Sequence, residues 1–257
     1  MNKYEFDPIE QIKVTEKFIK NYFEYNGTPE TKAVIGISGG KDSTIAAALL
    51  VKALGRDRVI GVMMPNGEQS DIEDSINVCN ILGIKHFTVN IKNTCNNLFE
   101  DFVNHTGLPL SDQITTNAPA RIRMNVLYMV SSAVGGRVCN TGNKSEAFIG
   151  YTTKYGDLAG DFALLKNLTV RDVYDLGDAL RLPYGLVHKD PADGMSGKTD
   201  EENTGIPYKV IDDYLIDGII PADEKVFDRM MKAYNRNLHK QAINLPAPVK
   251  AFKKRGK

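Results

Sequence analysis

The segment Ala33-Val34-Ile35-Gly36-Ile37-Ser38-Gly39-Gly40-Lys41-Asp42-Ser43-Thr44 is an apolar run that breaks into Ser-Gly-Gly and restarts at once as an alanine-rich stretch. A strand, a tight glycine turn and a helix start in that order aim several backbone N–H groups, and the positive end of a helix dipole, at one point. The ligand suited to that point is a phosphate. The spacing is neither the GxxxxGK[ST] of a Walker loop nor the GxGxxG of a dinucleotide fingerprint. Asp42 has the wrong sign for a direct phosphate contact. A magnesium ion bridging phosphates gives it a purpose, because such an ion draws one or two carboxylates from the protein. Glu146 offers the second, in Cys139-Asn140-Thr141-Gly142-Asn143-Lys144-Ser145-Glu146, where another apolar run ends in a polar turn ahead of a helix. Taken alone, Glu146 is equally well a helix N-terminal acid favoured by the dipole.

These residues need a scaffold, and the first half of the chain supplies one by alternating short apolar runs with longer amphipathic stretches. Strands are expected at 33–37, 58–63, 85–91 and 137–141, the second reading as buried on both faces. Helices are expected at 8–25, 43–54, 120–132, 169–180, 207–216 and 222–238. Another is marked by Ile72, Ile76, Cys79 and Leu82, and Thr169 and Asp172 stand at cap spacing. The fold class is therefore α/β, a Rossmann-like open parallel sheet. If its order is 3-2-1-4-5, strands one and four flank the switch point and bring Asp42 and Glu146 together. Residues 189–205 have no apolar period and are crowded with Gly, Asp, Ser, Thr and Glu, the composition of a lid loop. No repeat or linker divides 1–257, and the tail 253–257 reads as frayed.

With 32 basic and 32 acidic side chains the net charge is zero, so no global field draws in nucleic acid or an anionic membrane. No window approaches the roughly 20 apolar residues of a membrane span and the N-terminus lacks a signal-like apolar stretch, which together predict a cytoplasmic protein. Cys79, Cys95 and Cys139 form no CxxC pair and are odd in number, so packing is their expected role.

Several motifs carry a resemblance to known enzymes. Ser38-Gly39-Gly40-Lys41-Asp42-Ser43 matches the SGGxDS loop of the ATP pyrophosphatase (PP-loop) superfamily. Asn140 to Glu146, then Gly150-Tyr151-Thr152-Thr153-Lys154-Tyr155-Gly156-Asp157 and Asp161, resemble the ammonia-dependent NAD+ synthetase family. The likeness continues through Pro119-Ala120-Arg121-Ile122-Arg123-Met124, the lid with Lys198-Thr199-Asp200-Glu201, and His239-Lys240. It implies that Gly36, Ile37, Ser38, Gly39, Gly40, Lys41, Asp42, Ser43 and Thr141 hold ATP, and that Asp42 and Glu146 carry Mg2+. It further implies that Arg121, Lys154, Asp161, His239 and Lys240 bind deamido-NAD+, and that Asp157 helps position ammonium. The implied reaction joins ammonia to deamido-NAD+ through an acyl-adenylate, releasing AMP and pyrophosphate, in a homodimer built on the helices 8–25 and 120–132.

Three departures from the family pattern concern phosphate contacts. Val170 stands where many members have a lysine, Pro191 or Ala192 where they have a threonine, and Met63 where they have an arginine; Arg171 and Lys198 are the substitutes to examine. Rival readings are another PP-loop ligase and an adenine-nucleotide-binding protein without chemistry. Free ammonia is expected as the donor, because the synthetase motifs occupy the chain from about residue 33 to 240, Cys79 and Cys139 fall at a helix core position and inside a strand, and Asn93-Thr94-Cys95-Asn96-Asn97 holds no His or Lys to activate Cys95.

Overall fold

The computed structural model describes residues 6–69, 72–188 and 199–241. Chain order gives α1 Pro8–Asn26, β1 Lys32–Gly36, α2 Lys41–Leu54, β2 Val59–Met63, α3 Ile72–Leu82, β3 Lys85–Thr88, α4 Lys92–Thr106 and α5 Asp112–Val134. Then follow β4 Gly136–Asn140, α6 Lys144–Ile149, β5 Phe162–Ala163, α7 Val170–Ala179, α8 Tyr184–Val187, α9 Asp200–Thr204, α10 Tyr208–Asp217 and α11 Glu224–Gln241. The strands form one parallel sheet of order β3-β2-β1-β4-β5, as the sequence predicts.

Central position explains composition. β1 lies between β2 and β4, in register at Ile35↔Gly61 and Ile35↔Cys139, and β2 is buried along its whole length. On one face the Ala-rich α2, buried nearly all round, packs beside α1 and α7 in the largest core cluster. Met124 and Leu127 of α5 cover Val34, Val62 and Val138 on the other face. A third cluster joins α6, α7, α10 and α11 through Ile149, Val170, Ile211 and Met230. Two buried networks fix its orientation. Thr169 caps α7 in a reciprocal capping box with Asp172. Asp212 of α10 accepts from the Ser145 hydroxyl and from the Arg171 N–H, tying α6 and α10 to the same helix end.

Some expectations shift. The third strand ends at Thr88 rather than 91, although Val89 and Ile91 still donate to Met63 and Pro65 carbonyls. The helix expected at 120–132 begins at Asp112, capped by Ser111, and carries Pro119 inside it; the polar run ahead of the proline concealed its first two turns. α4 was not foreseen because Cys95 is its only buried residue, leaving almost no apolar period. Two-residue β5 is too short to leave a pattern. Of the expected lid 189–205, residues 199–204 form a Thr199 cap and α9, while 189–198, the tail and 242–245 lie outside the described residues. All three cysteines are buried and unpaired, and burial raises each thiol pKa, the opposite of nucleophile activation. Among the described residues no helix is long and apolar enough to cross a membrane.

Candidate active site

β1 ends at the switch point, and Ile37 continues its pairing through an N–H donated to the Val62 carbonyl at 3.0 Å. The chain then turns through Gly39 at φ +79°, where a Cβ would stand 2.9 Å from the Asp74 Cβ and 3.1 Å from the Ser75 nitrogen. Both the left-handed backbone and the lack of room demand glycine. Ser43 closes the turn, accepting from the Ser38 N–H at 3.3 Å and donating its hydroxyl to the Gly40 carbonyl at 3.1 Å. Gly40 caps α2 without a side chain, so the N–H groups of the first helical turn remain available to a ligand. The loop opens into a cavity of about 1100 Å³, lined by Gly36, Ile37, Ser38, Gly40, Lys41, Asp42 and Ser43 on this side, with Thr141 and Glu146 opposite. Gly39 shapes the turn and does not line the cavity.

Sheet order brings β4 beside β1, and Asn143, only 1% exposed, ties the two carboxylates into one unit. Its Nδ2 donates to Asp42 Oδ1 at 3.0 Å, its N–H donates to Glu146 Oε2 at 3.1 Å, and its Oδ1 accepts from the Ser145 and Glu146 N–H groups at 3.0 Å each. The sequence reading passed over Asn143. Its signal was there, since Asn143 and Glu146 are the two ends of a capping box. Removal from bulk water, then the charges of Asp42 and Asp200, push the Glu146 carboxyl pKa up to about 8 against the pull of Lys41. The site therefore resists a second negative charge beside Asp42, and Glu146 holds its proton until a cation arrives to offset that charge.

The Lys41 side chain answers that charge. It is 3% exposed and its Nζ lies 2.8 Å from Asp42 Oδ2, with the Tyr174 and Tyr208 ring centroids at 5.7 and 6.0 Å. Burial acts to lower its pKa, but Asp42 and Glu146 outweigh burial and the net shift is upward. The ammonium paired with Asp42 shows that a cation is at home beside this carboxylate, and the hard oxygen donors of Asp42 and Glu146 suit magnesium. Among the described residues no three Asp, Glu, His or Cys side chains converge as a closed metal site.

Of the expected dinucleotide residues, Arg121, Lys154, His239 and Lys240 gather where α5, the 150–157 turn and α11 meet, and of these four Lys240 alone lines the cavity. Lys240 lines the cavity and donates to the Gly150 and Thr152 carbonyls at 2.8 Å each. Lys154 Nζ reaches the His239 carbonyl at 3.0 Å, and Arg121 Nε the Lys154 carbonyl at 3.2 Å. Gly150, at φ +66°, sits where a Cβ would fall 2.1 Å from the Asn237 Cβ, so glycine there lets the turn seat against α11. Asp157 faces the cleft and accepts from the Thr153 N–H at 2.7 Å; crowding by protein raises its carboxyl pKa in spite of that bond. Asp161 stands apart from this group. It accepts from the Val138 N–H at 2.7 Å and the Tyr128 hydroxyl at 3.2 Å, and it does not line the cavity.

A larger feature escaped the sequence reading. Lys225, Arg229, Lys232, Arg236 and Lys240, spaced 4, 3, 4 and 4 residues apart, all line the cavity from α11. Helical spacing was the available signal. With Asp228, which pairs with Lys232 at 3.7 Å, as the acidic residue among them, these five cations leave the face with a net positive charge that suits phosphate groups. Of the substitutes for the lysine absent at Val170, Arg171 is held by Asp213 and Asp217 at 3.4 Å each and does not line the cavity. Lys198, Pro191 and Ala192 lie outside the described residues, and Met63 is buried.

A glycine-turn loop that carries Asp42 at the switch point of a 3-2-1-4-5 parallel sheet, with Glu146 tied to it through Asn143, is the ligand-site geometry of an open, doubly wound α/β fold. The model of the NAD synthase family matches residues 11–246. The chain is 34% identical over 229 residues to an NH(3)-dependent NAD(+) synthetase from Pyrococcus furiosus, covering 84% of this chain and 88% of that protein. It is 38% identical over 205 residues to one from Thermococcus kodakarensis, covering 79% and 78%. The solved NMN synthetase from Francisella tularensis superposes with a TM-score of 0.83 at 32% identity, over 95% of this chain and all of that one. The chain belongs to the NAD synthase family.

Proposed function

We propose that this protein amidates deamido-NAD+ to NAD+ with ammonia at the expense of ATP, as a ligase forming a carbon–nitrogen bond. The observation that carries the reading is the meeting, in one cavity, of a phosphate loop, a tied carboxylate pair and a cationic helix face. At about 1100 Å³ the cavity is at the upper end for a single small ligand, and it has phosphate-binding character on two opposite walls. The family match disfavours a different PP-loop ligase or a binding protein without chemistry.

In this reading the loop N–H groups from Ser38 to Ser43, with Thr141, seat the ATP phosphates, while Lys240 in the cavity wall and Arg121, Lys154 and His239 beside it neutralise the second nucleotide; Asp161, whose oxygens accept from Val138 and Tyr128, is given no ligand contact. A carboxylate oxygen of the nicotinate ring attacks the α-phosphorus, the bond to the bridging oxygen breaks, and pyrophosphate leaves. Ammonia then adds to the acyl carbon and AMP departs with the bonding pair, leaving the amide. Both steps build charge on phosphate oxygens, and fixed N–H groups and cations stabilise that charge without reorganising. Magnesium held by Asp42 and Glu146 would add Lewis-acid stabilisation of the same oxygens. Asp157, in the cleft beside Lys240, is the group proposed to hold ammonium and accept its proton, freeing the lone pair for attack; the second proton, lost as the amide forms, goes to solvent.

The proposal extends to a cytoplasmic homodimer in which 1–257 is one synthetase unit. Exposed apolar side chains on the two helices expected to pair, Val14 and Phe18 of α1 and Met129 of α5, support it. Sedimentation at assay concentration should give about twice 28.4 kDa, and a lone 28 kDa species would refute the dimer. The activity test supplies ATP, magnesium, ammonium and deamido-NAD+ and follows NAD+ and pyrophosphate in equal amounts. Nicotinate mononucleotide belongs in a parallel arm, because the solved relative quoted above is an NMN synthetase. Turnover of the mononucleotide alone would replace the dinucleotide reading, and ammonia-free glutamine serving as well as ammonium would overturn the donor.

A further inference from the structure

Lys41 is an unlikely place for a buried cation. It is the first residue of α2, where the helix dipole disfavours positive charge, and its side chain is 3% exposed, a burial lysine tolerates only when paired. It is held by the Asp42 Oδ2 contact at 2.8 Å and by the faces of Tyr174 and Tyr208, and Tyr208 itself donates to Asp200 Oδ2 at 3.2 Å. Lys41, Asp42, Glu146 and Asp200 all line the same cavity. The ammonium thus sits at the wall the nucleotide phosphates would approach, against one of the two carboxylates proposed for magnesium. Asn143 already donates to Asp42 Oδ1 and the ammonium to Oδ2, so a metal ion approaching Asp42 meets oxygens that already accept and, at Oδ2, the repulsion of the ammonium charge.

We propose that Lys41 is the resident counter-cation of the Asp42 carboxylate, one of the two groups proposed for magnesium. It keeps a divalent ion out of the nucleotide-free site and yields its place at Asp42 Oδ2 only when the phosphates of ATP arrive to take the ammonium. Metal entry is thereby made conditional on nucleotide. The inference rests on the reading of Asp42 and Glu146 as the magnesium carboxylates, and the experiment separates the two.

Binding of Mn2+ is followed by the loss of its free electron paramagnetic resonance signal, with and without α,β-methylene-ATP, for the wild-type chain, Lys41→Met and the double variant Lys41→Met/Asp42→Asn. The nucleotide-free wild type should bind Mn2+ at least tenfold more weakly than the Lys41→Met protein, and the double variant should lose what Lys41→Met gained. Equal Mn2+ affinity in wild type and Lys41→Met, while Asp42→Asn still abolishes binding in the presence of the analogue, overturns the counter-cation role and leaves the metal carboxylates standing. Mn2+ binding with the analogue that is indifferent to Asp42→Asn and Glu146→Gln overturns the carboxylate reading, and the proposal with it. If Lys41→Met fails to fold, which circular dichroism would report, Lys41→Gln takes its place. The wild-type arm needs no variant: Mn2+ affinity as high without the analogue as with it refutes the proposal directly.

Discussion

Removing Asn143 should separate fold from function at this site in a measurable way. Asn143→Ala deletes an N-cap, at about 1 kcal/mol, and a hydrogen bond to a charged carboxylate, at about 1.5–3 kcal/mol. The two losses share atoms, so about 3 kcal/mol is the expected sum for a side chain 1% exposed. In a chain of this length that lowers Tm by roughly 6–12 °C, read at fixed protein concentration because assembly contributes to the value. Asn143→Ser is the discriminating variant. Serine caps a helix about as well as asparagine but is one heavy atom too short to hold Asp42 Oδ1 while accepting from Ser145 and Glu146. Its Tm should recover only the cap, about 1 kcal/mol or roughly 2–4 °C above Asn143→Ala, while turnover at saturating ATP stays about 10- to 100-fold down and the magnesium needed for half-maximal rate rises, since Asp42 is then no longer held beside Glu146. The assay is initial-rate NAD+ formation over a magnesium titration, paired with thermal unfolding of the same preparations. Wild-type turnover and magnesium dependence in Asn143→Ser would show that the bond to Asp42 contributes nothing to the reaction, and the tied-pair reasoning would fall.

Asp42→Asn and Glu146→Gln should each lose at least a hundredfold in turnover with circular dichroism unchanged, and normal rates at ordinary magnesium would remove both from the metal role. The Glu146 carboxyl is pushed from its ordinary 4.5 up to about 8, so the folded protein holds a proton that the unfolded chain gives up. That contribution is complete below about pH 4.5 and lost as pH rises to about 8; metal-free Tm should therefore fall more steeply from pH 5 to 8 in the wild type than in Glu146→Gln, and parallel curves would refute the shift. Lys232→Ala/Arg236→Ala should raise KM for the dinucleotide about tenfold or more with kcat nearly unchanged, because both residues lie on the cavity-lining face of α11; an unchanged KM would take that face out of substrate binding. Asp212→Ala leaves the Ser145 hydroxyl and the Arg171 N–H without their shared acceptor. It should cost about 2–4 kcal/mol by denaturant unfolding, and a loss below 1 kcal/mol would show that the network is not structural.

The sequence by itself determined what local chemistry dictates. Ser-Gly-Gly between an apolar run and an alanine run can do little else than turn from strand to helix, because Gly39 meets both a left-handed backbone and the nearby Asp74 and Ser75. β2 and α2 were legible because burial on every side leaves nearly uninterrupted apolar residues, and the Thr169–Asp172 box because capping is a three-residue affair. Segments whose burial is slight were not legible. α4 buries one cysteine, the first turns of α5 are polar, and β5 is two residues long. The site divides along the same line. Loop, carboxylates and the 150–157 turn could be read as motifs, since each depends on neighbours in sequence. That Asn143 binds Asp42 across 101 positions, that Lys41 turns inward against Tyr174 and Tyr208, and that α11 aims five cations into the cavity were decided by tertiary structure alone. Hydrogen bonds and charges act through distance in space, and only the packing of β4 against β1, and of α11 against α6, sets those distances.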